Sequence, residues 1–85
     1  MPEKSLDISV VDGETPTIRL RGEVDYHNAE KIRDAVARLL VNDSHSLIVD
    51  VGSLEFIDSS GLSALLDAAK AAKERGGEVR LLSPG

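Results

Sequence analysis

An α/β fold, with a four-stranded sheet whose first strand is antiparallel to the rest and two helices on one face, follows from three features of this 85-residue chain. Two short runs of alternating apolar and polar residues flank a turn-rich segment near the N-terminus. Two segments of helical apolar spacing then alternate with strand-like runs. Polar side chains at alternate positions of the outer strands (Asp7, Ser9, Arg19, Arg21, Arg80) leave one sheet face to water.

Leu6-Asp7-Ile8-Ser9-Val10 and Thr17-Ile18-Arg19-Leu20-Arg21 carry the period of half-buried strands, and Asp12-Gly13-Glu14-Thr15-Pro16 between them is rich in turn formers, so they pair as a hairpin. Over residues 28–40, Ala29, Ile32, Val36, Leu39 and Leu40 recur at helical spacing, with Glu30, Lys31, Arg33, Asp34 and Arg38 on the other face. Leu47-Ile48-Val49-Asp50-Val51 reads as a central strand. A second helix starts at about Ser59 or Ser60 and runs to Arg75, with Leu62, Leu65, Leu66, Ala69 and Ala72 inward and Gly76-Gly77 ending it. Glu78-Val79-Arg80-Leu81-Leu82 is the last strand. Each strand-helix-strand crossover is right-handed with parallel strands, and helices on a single face require the sequential strand order 1-2-3-4.

Eleven Leu, eight Val, eight Ala and five Ile against one Phe, one Tyr and no Trp describe a thin aliphatic core of one small domain. Fifteen acidic residues against ten basic ones give a net charge of -5, which argues against direct contact with nucleic acid or anionic lipid. The chain has no cysteine, hence no disulfide and no thiolate chemistry, in keeping with a reducing, cytoplasmic setting. No apolar run reaches the ~20 residues that cross a bilayer, and residues 1–7 lack the apolar centre of a secretion signal, so a soluble, untargeted protein is expected.

The chemistry concentrates in Ile57-Asp58-Ser59-Ser60-Gly61-Leu62, where a strand-loop segment becomes a helix. Parallel strands put this segment beside Gly22-Glu23-Val24-Asp25, at the sheet edge where open α/β folds bind ligands. Two helix N-termini point there, offering N–H donors among Glu23, Asp25, Glu55 and Asp58. Ser59 and Ser60 can serve as helix caps, a role worth ~0.5 to 2 kcal/mol, or as hydroxyls presented to a partner. Gly61, which costs a helix up to ~1 kcal/mol relative to Ala, favours presentation by leaving the serines open. Phe56 and Leu62 fit either core or partner contact; Leu65 fits core.

Taken together, the Gly22-to-Asp25 turn, the 47–51 strand, Ile57-Asp58-Ser59-Ser60-Gly61-Leu62 and the 78–82 strand resemble the STAS family, named for sulphate transporters and anti-sigma factor antagonists, over residues 6–84. In the bacterial antagonists of that family, a partner kinase, itself the anti-sigma factor, phosphorylates the first serine of the motif. The resemblance implies that Ser59 is the phosphoacceptor, that Asp25, Asp58, Ser60, Gly61 and Leu62 belong to the partner-binding site, and that the unmodified protein binds the anti-sigma factor and releases the sigma factor. Phosphorylation ends that binding and a phosphatase restores it. The family usually continues with another helix, and this chain stops at Gly85; a single STAS-like domain over residues 1–85, shortened by that helix, is therefore expected, with apolar surface beside the last helix and strand.

Other readings are weaker. A hard-cation site gathers more oxygens than Asp25 and Asp58 supply, so neither metal nor cofactor is expected. His27 and Ser59 do not make a hydrolase, because Gly-x-Ser-x-Gly is absent and no oxyanion hole is evident; no enzymatic activity is expected. Asp50 at a strand end lacks the acidic constellation of a phospho-accepting aspartate. A STAS interaction subunit of a transport or stress-sensing complex is the alternative function.

Overall fold

The computed structural model describes residues 5–41 and 45–83. Six elements follow in the order β1 (Leu6–Val11), β2 (Thr17–Val24), α1 (Ala29–Val41), β3 (Leu47–Ile57), α2 (Ser59–Glu74) and β4 (Val79–Leu82). They form one sheet of order β1-β2-β3-β4, with β1 antiparallel to β2 and the other pairs parallel, as expected. Both helices pack on one face, where Ile18, Leu20 and Val24 of β2 and Leu47 and Val49 of β3 meet Ile32, Val36 and Leu40 of α1 and Ala64, Leu65, Ala68 and Ala72 of α2. Asp7, Ser9, Arg19, Arg21 and Arg80 are exposed. On that outer face Arg19 pairs across the ladder with Asp50, Nε to Oδ2 3.4 Å, which assigns Asp50 a structural partner. Most of the loop before β3, residues 42–44, and Pro84 lie outside the described residues.

Two strands run further than their apolar periodicity indicates. β2 does not stop at Arg21, because Gly22 adopts φ 107°, a left-handed value open to glycine at little cost, and the chain resumes pairing with Glu23 N–H donating to Ser5 O at 3.0 Å. A side chain at Gly22 would also collide with the Ser5 carbonyl. β3 continues past Val51 to Ile57 through two register shifts against β2, from Arg19↔Asp50 to Arg21↔Ser53 and from Gly22↔Leu54 to Glu23↔Phe56. Each inserts one extra residue in β3, as a β-bulge does. At the first bulge Asp50 Oδ1 accepts from Gly52 N–H at 2.9 Å. Phe56 and Ile57 are thus strand residues, and the loop expected to precede the second helix shrinks to Asp58.

The inward face of α2 also differs from the expected one. Gly61, Ala64, Leu65, Ala68 and Ala72 are buried, Ala69 is half-buried, and Leu62 and Leu66 are 52% and 70% exposed. A helix with apolar residues around much of its circumference does not fix its own rotation. Small residues set it here, because Gly61, Ala64, Ala68 and Ala72 let α2 lie close to the sheet and α1 where leucines would not fit. Leu66→Lys should therefore change unfolding free energy by less than about 0.5 kcal/mol. A denaturant melt showing a loss of several times that amount would return Leu66 to the core.

Candidate functional site

The sequence brings the two turns together through the parallel pairing of β2 with β3. Val24 stands opposite Ile57, and Asp58 N–H donates to Val24 O at 3.1 Å, so Asp25 and Asp58 follow directly from adjacent strand ends. Asp25 organises the start of α1. Its Oδ1 accepts from His27 N–H at 2.9 Å, and its carbonyl accepts from Ala29 N–H at 2.9 Å. His27 Nδ1 lies 3.5 Å from Asp25 Oδ2, and its ring rests against Tyr26.

Beneath this turn lies Asn28, 4% exposed, which sequence reasoning used only to mark the helix start. Its Oδ1 accepts from Asp25 N–H and its Nδ2 donates to Glu23 O, both at 3.0 Å, tying the end of β2 to the first turn of α1. Asn28→Ala would remove both hydrogen bonds, and a loss of about 1 to 2 kcal/mol is expected. Urea unfolding measures it; an unchanged midpoint would show that the turn holds itself.

At the second turn, the capping role that sequence allowed to Ser59 or Ser60 falls instead to Asp58. Its backbone is extended and its Oδ1 accepts from Gly61 N–H at 3.1 Å, while Leu62 N–H donates to Asp58 O at 3.0 Å. Ser59 is thereby the first helical residue and is exposed; Ser60 is half-buried. The helix N-terminus leaves backbone donors beside them. Gly61 differs from expectation. It is buried, and a Cβ built on it would lie 2.5 Å from Ile57 Cγ1 and 2.7 Å from Val24 Cγ1. Close packing of α2 on the strand ends, not openness of the serines to solvent, requires glycine there.

The structure adds residues that the sequence did not single out. Ser59 and Ser60 line an open groove of about 340 Å³ with Tyr26, Glu30, Arg33 and Ser63. Arg33, read from sequence as part of the solvent face of α1, sits in the seam between the helices and reaches Ser63 and Asp67 of α2. Helical periodicity on α1 cannot signal this, since it depends on how α2 packs alongside. On the other side of α2, Leu62 borders an apolar groove of about 480 Å³ lined also by Val51, Leu54, Phe56, Ile57 and Leu81. Phe56 and Leu62, whose placement sequence left open, are both more than two-fifths exposed. Among the described residues no group of three or more His, Cys, Asp or Glu is placed to hold a metal ion, and no helix is long and apolar enough to cross a membrane.

Known proteins are similar to this chain in sequence and in fold. An anti-sigma F factor antagonist of Lysinibacillus sphaericus is 32% identical over 78 residues, 91% of this chain and 67% of that protein. Its counterpart in Paenibacillus polymyxa is 32% identical over 66 residues, 73% of this chain and 54% of that protein. The chain thus spans between about half and two thirds of the length of these relatives. Among solved structures, the anti-sigma factor antagonist SpoIIAA superposes in its unphosphorylated form with a TM-score of 0.77 at 30% identity, covering 95% of this chain and 74% of that one. Its phosphorylated form gives 0.76 at the same identity and coverage. With the sequence profile of the STAS domain matching residues 7–85 and the strand order shared with these structures, this chain belongs to the STAS domain family.

Proposed function

We propose that this protein is an anti-sigma factor antagonist, which binds an anti-sigma factor with serine kinase activity, frees the sigma factor, and is switched off by phosphorylation of Ser59. The observation that carries this reading is the division of labour at the start of α2: Asp58 takes the cap, so the exposed Ser59 hydroxyl is spared that structural duty. The existence of a relative, 30% identical, in unphosphorylated and phosphorylated forms supports a switch of this kind. The antagonist names of the relatives support the partner class.

In the proposed step the γ-phosphoryl group of ATP passes to Ser59 Oγ. The bond to the bridging oxygen breaks, ADP leaves, and the hydroxyl proton is lost to the kinase site. The groups the protein contributes are positional: the first turn of α2 presents the hydroxyl, and Asp25, Asp58, Ser60 and Leu62 form the surface that the kinase grips. Gly61, being buried, contributes by setting where that turn lies. A phosphatase reverses the modification.

Incubation with ATP and the cognate anti-sigma kinase, followed by peptide mapping, should place one phosphate on Ser59, and Ser59→Ala should abolish the incorporation. Phosphate confined to Ser60 would overturn the assignment. Stable capture of a transport ATPase with no phosphate transfer would instead select an interaction-subunit role.

A further inference from the structure

Arg33 stands on α1, yet its guanidinium serves the face of α2 that begins at Ser59. Its Nε and Nη2 each lie 3.1 Å from Asp67 Oδ2, Nη2 is 3.4 Å from Ser63 Oγ, and Nη1 is 3.3 Å from Glu30 Oε2. Ser59, Ser63 and Asp67 are spaced by four, so their side chains form one row along α2, each step about 6 Å along the axis. The guanidinium therefore lies at the level of Ser63 and Asp67, one turn from Ser59, in the same groove that Ser59 lines.

We propose that Arg33 is the binding residue for a phosphate on Ser59: on phosphorylation its guanidinium leaves Asp67 and moves one turn up the row onto the phosphate. The inference rests on the reading that Ser59 is the modified hydroxyl. Three features drive the exchange. The guanidinium fork matches a phosphate in bidentate fashion, and charge-assisted bonds of this type are among the strongest available. The contacts given up are weak, because Asp67 and Glu30 are mostly exposed side chains and solvent-screened pairs contribute little. The N-terminus of α2 adds donors and positive potential at the same place.

The exchange enlarges the signal. In the unmodified protein Arg33 offsets the carboxylates of Glu30 and Asp67. Once it is held by the phosphate, both face solvent without their cation, and negative potential extends from the first turn of α2 to its third. A partner that reads this face meets a changed charge pattern over the α1–α2 seam, although the backbone has not moved.

Phosphoserine inserted at position 59 during translation tests this without any kinase. Phosphorus NMR titration should show the second ionisation of the phosphate, ordinarily near about 6, lying about half a unit lower in the protein with Arg33 than in R33Q, because a neighbouring cation favours the dianion. R33K, which keeps the charge and loses the fork, should fall between them. The Arg33 Nε–H resonance should also shift between the serine and phosphoserine proteins, and thermal melts of the unmodified variants check that the fold is intact. Coincident titration curves for Arg33 and R33Q proteins would overturn the proposal and leave the phosphorylation switch untouched. A kinase that ignores Ser59 would remove the switch and leave the titration result standing.

Discussion

Phosphate on Ser59 is expected to lower affinity for the anti-sigma partner on the order of a hundredfold or more, with no loss of fold. The modification adds about -1.5 to -2 charges and three acceptor oxygens. It does so at a rim that already carries Asp25 and Asp58, on a chain of net charge -5. Like charges brought together in an interface cost several kcal/mol, and every ~1.4 kcal/mol is a factor of ten in binding. The fold should persist because Ser59 is exposed and the cap belongs to Asp58, so the phosphate displaces no core contact and breaks no capping bond. Calorimetric titration of the serine and phosphoserine proteins against the same partner measures the ratio, and their far-ultraviolet dichroism and melting curves measure the fold. Because part of the penalty is Coulombic at a surface, raising the salt from low to about 0.5 M should recover a portion of the affinity. Equal dissociation constants for the two forms would remove the switch, and a phosphoprotein that has lost its helix signal would replace interface blocking with unfolding. Ser59→Glu is a weaker test, since a carboxylate brings one charge and two oxygens.

The elements whose physics is local were legible in the sequence. The hairpin was marked by alternation and turn formers, and the inward face of α1 by Ile32, Val36 and Leu40, all buried. Strand order followed from polar residues on one sheet face. Three features escaped because they depend on what lies opposite. The bulges that carry β3 on to Ile57 are set by pairing with β2, so neither Gly52 nor Ser53 reveals from its own neighbours that the strand resumes. The rotation of α2 is chosen by how closely it must approach the sheet, which makes alanines and not Leu62 or Leu66 its inner residues. Arg33 acts across the seam between two helices and was invisible to the period of either. At the site itself, the segment and its neighbour at Asp25 were identifiable from the order of elements. That Asp58, and not Ser59 or Ser60, caps α2 was not, because Asp and Ser satisfy the same residue preference.

Gly61 gives the sharpest test of how the site is held in place. Gly61→Val should destabilise the protein by about 3 kcal/mol, at the upper end of the cost of overpacking a well-filled interior, with a fall in melting temperature of roughly 12 to 24 °C for a domain of this size. Even a single Cβ would lie 2.5 Å from Ile57 Cγ1, 2.7 Å from Val24 Cγ1 and 2.9 Å from Ile57 Cδ1, and Val24 is completely buried. Both neighbours are β-branched residues with restricted side-chain torsions, in facing strands that cannot part without breaking the ladder at Val24↔Ile57. Relief must come from the first turn of α2 moving outward, and this loosens the Asp58 cap and displaces Ser59. Gly61→Ala separates the two effects. The alanine gains up to ~1 kcal/mol of helix propensity, which offsets part of the collision, so its net loss should be smaller, about 1 kcal/mol, while the displacement of Ser59 remains. If close packing is what glycine provides, the alanine protein should melt cooperatively and yet be a slower substrate for the kinase. If instead glycine serves to keep the serines open to solvent, Gly61→Ala should slow phosphorylation and leave the melting temperature unchanged or raised. Melting curves and initial phosphorylation rates on the same two variants decide between these.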